Sequence, residues 1–152
     1  MLNVQISSQV FSSGYDISTS VGGFSIKRVP LSSEILVFDH SENQIARLGA
    51  ESTFSMSYYI IITGGGYYQF GRDVKARRTW TCKGEGRLLR LSERIRRRFL
   101  ISDGSQDIAE GTKAWYTRDF AIKVSNDTDL KLVVCIFIAL SVSEYESSPM
   151  PD

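Results

Sequence analysis

The chain has 152 residues, 42% hydrophobic and 23% charged, with a net charge of +1. That is the length of one domain with a sizeable core, and the overall charge balance selects no particular partner. Its two cysteines, Cys82 and Cys135, are far apart and outside any CxxC pair, which excludes a cysteine-based metal or redox motif and reads as two reduced core thiols in a cytosolic protein.

Met1 to Val10 mixes polar with apolar residues and has neither a basic start nor an apolar block, so no secretory signal is expected there. Short strands separated by turn signals follow. Tyr15 to Thr19 and Phe24 to Lys27 flank Ser20-Val21-Gly22-Gly23. Ile35 to Asp39 leads through His40-Ser41-Glu42-Asn43 into Gln44 to Leu48. Tyr58 to Thr63, rich in aromatic and β-branched residues, is broken by Gly64-Gly65-Gly66, and Tyr67 to Phe70 resumes. Thr79 to Cys82 and Arg87 to Leu91 surround Gly84-Glu85-Gly86. Phe99 to Ser102 and Gln106 to Glu110 surround Asp103-Gly104-Ser105. Trp115 to Tyr116 and Phe120 to Val124 are two more predicted strands.

There is a faint internal echo. Val37 through Ile45-Ala46 resembles Leu100 through Ile108-Ala109, and an aromatic strand follows each about a dozen residues later. Leu130 to Val142 then breaks the style. Only Lys131 and Ser141 are polar in it, so as regular structure it must be buried on every side. Its β-branched residues would suit a central strand, but Asp127, Thr128 and Asp129 offer a cap and first-turn acids, and its length exceeds the usual strand. The expectation is a core helix about 20 Å long at roughly 1.5 Å per residue. It is too short to span a bilayer, which needs about 20 apolar residues. Asn126-Asp127-Thr128 matches a glycosylation pattern and is read as a turn and cap. A single domain over residues 1–143 is expected, with a flexible tail over 144–152.

The order of these features resembles the LURP-one-related proteins of the tubby C-terminal-like superfamily, which also holds the phospholipid scramblases. The matching pieces are Val37-Phe38-Asp39-His40-Ser41-Glu42-Asn43-Gln44-Ile45-Ala46, the later Ile108-Ala109-Glu110 with Trp115, and the closing Asp129-Leu130-Lys131-Leu132-Val133-Val134-Cys135-Ile136-Phe137-Ile138-Ala139-Leu140. The resemblance runs from Tyr15 to Val142. It implies a mainly β protein, a closed antiparallel barrel of about twelve strands around a buried hydrophobic C-terminal helix. A sheet closed on itself hides its edges, and a helix inside gives every strand a buried face.

Catalytic sets are scarce. The one histidine, His40, lies in a polar turn, and two cysteines with one histidine fail the count and spacing of a metal site. No glycine-rich loop ends in Lys followed by Ser or Thr, and Asp103 and Asp107 flank a hairpin turn as solvated acids. The expectation is a non-enzymatic module without cofactor or metal.

Charge is segregated instead. From Arg72 to Arg98 stand eleven cations (Arg72, Lys75, Arg77, Arg78, Lys83, Arg87, Arg90, Arg94, Arg96, Arg97 and Arg98) against Asp73, Glu85 and Glu93, net +8. The remaining seven cations and fourteen acids give −7. Nine of the eleven are arginine, which suits bidentate contact with phosphate. The residues expected to bind an anionic headgroup are Lys75, Arg77, Arg78, Arg87, Arg90, Arg94, Arg96 and Arg98. If Arg87 to Leu91 pairs with Arg96 to Ile101, then Arg94, Arg96 and Arg98 share one side and Arg97 takes the other. The competing reading is a solvated face, or arginines paired with acids from elsewhere. The resemblance supports phosphoinositide binding as a class and transfers no individual residue.

The expected function is peripheral binding of anionic phospholipid, in the cytoplasm at a membrane surface, with no transmembrane segment. The alternatives are a protein-interaction domain and, less favoured, a nucleic-acid contact using Trp80 and Phe99 beside the same cations.

Overall fold

The computed structural model describes residues 2–7, 16–19, 22–51, 57–73, 75–76, 78–114 and 119–147. Its strands are β1 (Leu2–Ser7), β2 (Asp16–Thr19), β3 (Gly22–Arg28), β4 (Ile35–Asp39), β5 (Gln44–Ala50), β6 (Ser57–Ile62), β7 (Gly66–Arg72), β8 (Thr79–Gly84), β9 (Arg87–Glu93), β10 (Arg98–Ser102), β11 (Asp107–Lys113) and β12 (Phe120–Val124), followed by helix α1 (Leu130–Ser147). Each strand pairs antiparallel with its neighbours in sequence, and β1 closes the ring by pairing with both β2 and β12. The result is an up-and-down barrel with no free edge.

Alternation fixes which face turns inward. In β6, Tyr58, Ile60 and Ile62 are buried; in β12, Phe120, Ile122 and Val124 are. The same period runs through Val4 and Ile6 of β1, the strand that the sequence reading passed over as an undistinguished N-terminus. The predicted strand at Trp115 to Tyr116, and Tyr15, lie outside the described residues.

The barrel interior holds α1. Every residue from Leu132 to Ser143 is buried, so the helix is walled on all sides. Phe137 packs against Phe120 and Phe99, with ring centroids 5.2 and 6.4 Å away, while the helix also contacts β5 and β6 on the opposite wall. Full burial of each large aliphatic or aromatic side chain contributes about 1.5–3 kcal/mol, so this run is the centre of the core. Asn126 caps the turn before it by accepting a hydrogen bond from the Asp129 amide at 3.3 Å. The helix is longer than expected. It continues past Val142 to Ser147, taking in the first four residues of the predicted tail, because the chain offers no glycine or proline to stop it before Pro149. At about 1.5 Å per residue it is roughly 27 Å long. Residues 148–152 lie outside the described residues.

The two echoing segments form the hairpins β4–β5 and β10–β11, six strands apart around the ring. Both carry a register shift near the turn, at Val37/Phe38 and Ile101/Ser102. Both turns are tied by an aspartate: Asp39 accepts from the Ser41 and Asn43 amides, and Asp103 from the Ser105 and Gln106 amides. The Asn43 amide bond is the main influence holding the Asp39 carboxyl below its ordinary value, and the Ser105 amide does the same for Asp103.

Because all pairings are antiparallel, the connections alternate between two ends. Those after odd-numbered strands lie at one mouth, here the odd mouth. Those after even-numbered strands, with the turn into α1, lie at the even mouth.

Candidate functional site

The basic segment divides between the two mouths. The β7–β8 connection carries Asp73, Lys75 and Arg78, and the β9–β10 connection carries Arg94, Ile95, Arg96 and Arg97. Both belong to the odd mouth, and β8 and β9 set them side by side, with the Glu93 amide donating to the Arg78 carbonyl at 3.0 Å. Arg72 ends β7 at the same mouth, its guanidinium 5.9 Å from the centroid of Trp80. Arg77 lies outside the described residues.

The β9–β10 turn departs from the strand expected to begin at Arg96. Ile95–Arg97 is a short 3-10 segment, and β10 starts at Arg98. Arg96 and Arg97 both take the left-handed conformation, with φ of +61° and +59°, and Arg78 in the neighbouring connection has φ +54°. Consecutive left-handed residues suit the twist of a two-strand turn, yet glycine and asparagine are the residues that adopt them cheaply. A non-glycine residue held there costs about 1–3 kcal/mol, and such outliers concentrate at sites of function. The turn is braced: the Arg94 amide donates to the Arg98 carbonyl at 2.6 Å, and Arg97 Nη1 to the Ala114 carbonyl at 2.8 Å. The exposed guanidiniums of Arg94 and Arg96 therefore stand on a fixed base.

Local pairing removes some cations from this surface. Arg78 reaches Glu93 at 3.4 Å, and Arg98, on the outer face of β10, is bonded to Glu110. Among the described residues, Lys75, Arg90, Arg94 and Arg96 are exposed and their side chains have no ion-pair partner. Arg90 sits midway along the outer face of β9.

Arg87 does not join them. It shares the inward parity of Leu89 and Leu91, and sits at the even mouth, where Nη1 meets Asp129 Oδ1 at 2.8 Å. Strand rise puts it about 20 Å from Arg94. Its role is to tie the start of α1 to the barrel rim, a contact between residues 42 apart in sequence. Arg87, expected among the headgroup-binding residues, thus stands at the opposite mouth from Arg94 and Arg96.

Acids stand at both mouths. Asp39, Glu42, Glu85, Asp103, Asp107, Asp127 and Asp129 all lie at or beside even-mouth connections. Asp16, Glu34, Glu51, Asp73, Glu93 and Asp119 lie at or beside odd-mouth connections, so the acids are nearly evenly divided between the mouths and the cations alone are concentrated at one of them. The barrel is electrically lopsided along its axis.

His40 is exposed in the β4–β5 turn. The Cys82 and Cys135 thiols are buried, and desolvation pushes both up to about 12, which suppresses thiolate chemistry. No group of three His, Cys, Asp or Glu side chains among the described residues could hold a metal ion. The outer wall has a shallow depression of about 200 Å³ bordered by Asn3, Gln5, Glu110, Thr112 and Lys123. Among the described residues no helix is long and apolar enough to cross a membrane.

No protein-family model and no curated protein matches this chain. A crystal structure of a protein from Arabidopsis thaliana, AT5G01750, is similar in fold: TM-score 0.64 at 12% sequence identity, covering 93% of this chain and 90% of that one. At this identity the likeness concerns the fold alone.

Proposed function

We infer that this barrel is a non-enzymatic binding module that docks its odd mouth on anionic phospholipid headgroups, phosphoinositides being the best match. The observation that carries the reading is the concentration of cations at one mouth, where unpaired Lys75, Arg94 and Arg96 stand beside Arg72 and Arg78, while carboxylates are shared between both mouths. An anionic surface attracts that mouth more strongly than the other, so the field orients the molecule before contact. Each cation near such a surface contributes on the order of 1 kcal/mol, and three or four give reversible attachment. The arginine bias adds bidentate phosphate recognition. The sequence resemblance to LURP-one-related and tubby-like proteins supports the same class of ligand, and the fold likeness to the Arabidopsis structure supports the barrel alone.

The test is vesicle flotation at several salt concentrations, comparing phosphatidylcholine alone with phosphatidylcholine carrying a phosphoinositide. Binding is expected only to the anionic vesicles and to weaken with salt. Arg94→Glu combined with Arg96→Glu lowers affinity at least about thirtyfold, taking on the order of 1 kcal/mol per lost cation. Lys83→Glu, near the even mouth, leaves it unchanged. Equal binding to neutral vesicles would defeat the reading, as would retention of a short nucleic acid in a gel shift at matched salt with no flotation.

A further inference from the structure

Two side chains at the odd mouth are placed against the usual logic of a soluble surface. Leu31, in the β3–β4 connection, is fully exposed at 109% of its reference area, and Ile95, at the β9–β10 tip, is 80% exposed. Isolated exposed aliphatics are common, but these two share further features. Leu31 has φ +61°, a conformation that glycine adopts without cost and leucine does not. It follows Pro30, whose fixed φ suits the preceding turn position. The sequence thus accepts both strain and exposure at one residue.

Neither tip is slack. The β3–β4 connection is pinned by the Val29 amide to the Glu34 carbonyl at 3.0 Å, the Glu34 amide to Ser32 Oγ at 2.9 Å, and the Ala50 amide to Ser33 Oγ at 3.2 Å. The Ile95 tip is held by the Arg94–Arg98 and Arg97–Ala114 bonds already described. Rigid hairpins therefore project these aliphatic groups. The β3–β4 and β9–β10 hairpins are also six strands apart around the twelve-strand ring, on diametrically opposite sides of one mouth. With strands spaced about 4.8 Å and tilted by about 40°, the two tips stand roughly 24 Å apart. Ile95 lies between Arg94 and Arg96, an apolar group with cations on both sides.

We propose that Leu31 and Ile95 are two apolar feet that enter the interfacial layer of a lipid bilayer, standing the barrel on its odd mouth while Arg94 and Arg96 hold the headgroups. The inference rests on the lipid reading above and adds insertion depth and orientation to it. A single wedge would let the barrel roll about the contact. Two wedges across the mouth fix the tilt, and the acidic even mouth is held farthest from the anionic surface.

Site-directed fluorescence tests this directly. Cys82 and Cys135 are buried, so a cysteine placed at the surface can be labelled selectively. An environment-sensitive probe is attached to Leu31→Cys, to Ile95→Cys and, as the even-mouth control, to Glu42→Cys. Each protein is mixed with phosphatidylcholine vesicles carrying a phosphoinositide. Blue-shifted emission, quenched by spin-labelled lipid, is expected at positions 31 and 95 and absent at 42. Flotation with probes at 31 and 95 still reporting water overturns insertion and leaves headgroup binding standing. Absence of flotation overturns both readings.

An unlabelled pair provides an independent arm. Leu31→Gly and Ile95→Ser each lower vesicle affinity about tenfold, the scale of losing one aliphatic contact. Leu31→Gly at the same time raises Tm by about 2–4 °C, by relieving the left-handed leucine. Unchanged vesicle affinity in both variants would overturn the proposal.

Discussion

Ser141 lies inside α1 with its hydroxyl buried and, among the described residues, without a hydrogen-bond partner. A buried polar group left unsatisfied costs about 1–3 kcal/mol, and serine is also a weaker helix former than alanine. Ser141→Ala is therefore expected to stabilise the protein by about 1 kcal/mol, seen as a raised midpoint in urea unfolding at unchanged slope. At this scale the sequence was informative where chemistry is local. Asp103 and Asn126 were legible as turn and cap residues because their partners lie within three positions, whereas Asp39 reads in sequence as the last residue of a strand. Arg87 was not, because its partner Asp129 is brought to it only by closure of the barrel. Leu31 and Ile95 gave no signal either: an aliphatic residue in a sequence is read as core until the turn that expels it is seen.

Among the elements, α1 and the strands it touches set the tightest tolerance. At Gly111 of β11 an added Cβ would lie 2.6 Å from Phe137 Cζ, closer than atoms can approach, and the Phe137 ring is fully buried with no free space to yield. Gly111→Ala is expected to destabilise by about 1–3 kcal/mol, the range for overpacking a filled core. Combining it with Phe137→Leu should recover part of that loss, and thermal melts of the two single variants and the double variant measure the coupling. The burial and helical state of Leu130 to Val142 could be read from its capping residues and its uninterrupted hydrophobicity. Its true end at Ser147 could not, since polar residues continue a helix as readily as they leave one. The β9–β10 turn was missed for a related reason. Arg-Arg has no glycine or asparagine to mark it, so a turn held by tertiary bonds resembled the start of a strand.

For the molecule as a whole, the thiols report how the barrel opens. Cys82 on β8 and Cys135 on α1 face the same sealed interior, and both thiols are pushed up to about 12 by desolvation. If the barrel and helix part only as a unit, both cysteines react with a thiol reagent at one slow rate, and denaturant accelerates the two in parallel. Mass spectrometry of the singly and doubly modified chains checks this: a faster Cys82 would indicate that β8 opens locally. At this scale the charge excess of the segment from Arg72 to Arg98 was legible by counting, but its division was not. A run of 27 residues spanning two hairpins must visit both mouths, so contiguity in sequence overstated contiguity in space.

The ring is sealed by its earliest strand meeting its latest: β1 pairs with β12, and α1 follows β12 in the chain. During synthesis the ribosome releases β1 long before its second partner exists. Eleven strands can then zip only into an open, greasy-faced sheet, and the helix that will plug it is translated after the seam residues. The final closing step must therefore wait for α1, with the longest possible loop drawn shut around a helix made after all twelve strands. Low-denaturant folding should be slow for the chain's size, and until the seam forms the nascent sheet is a natural client for chaperones.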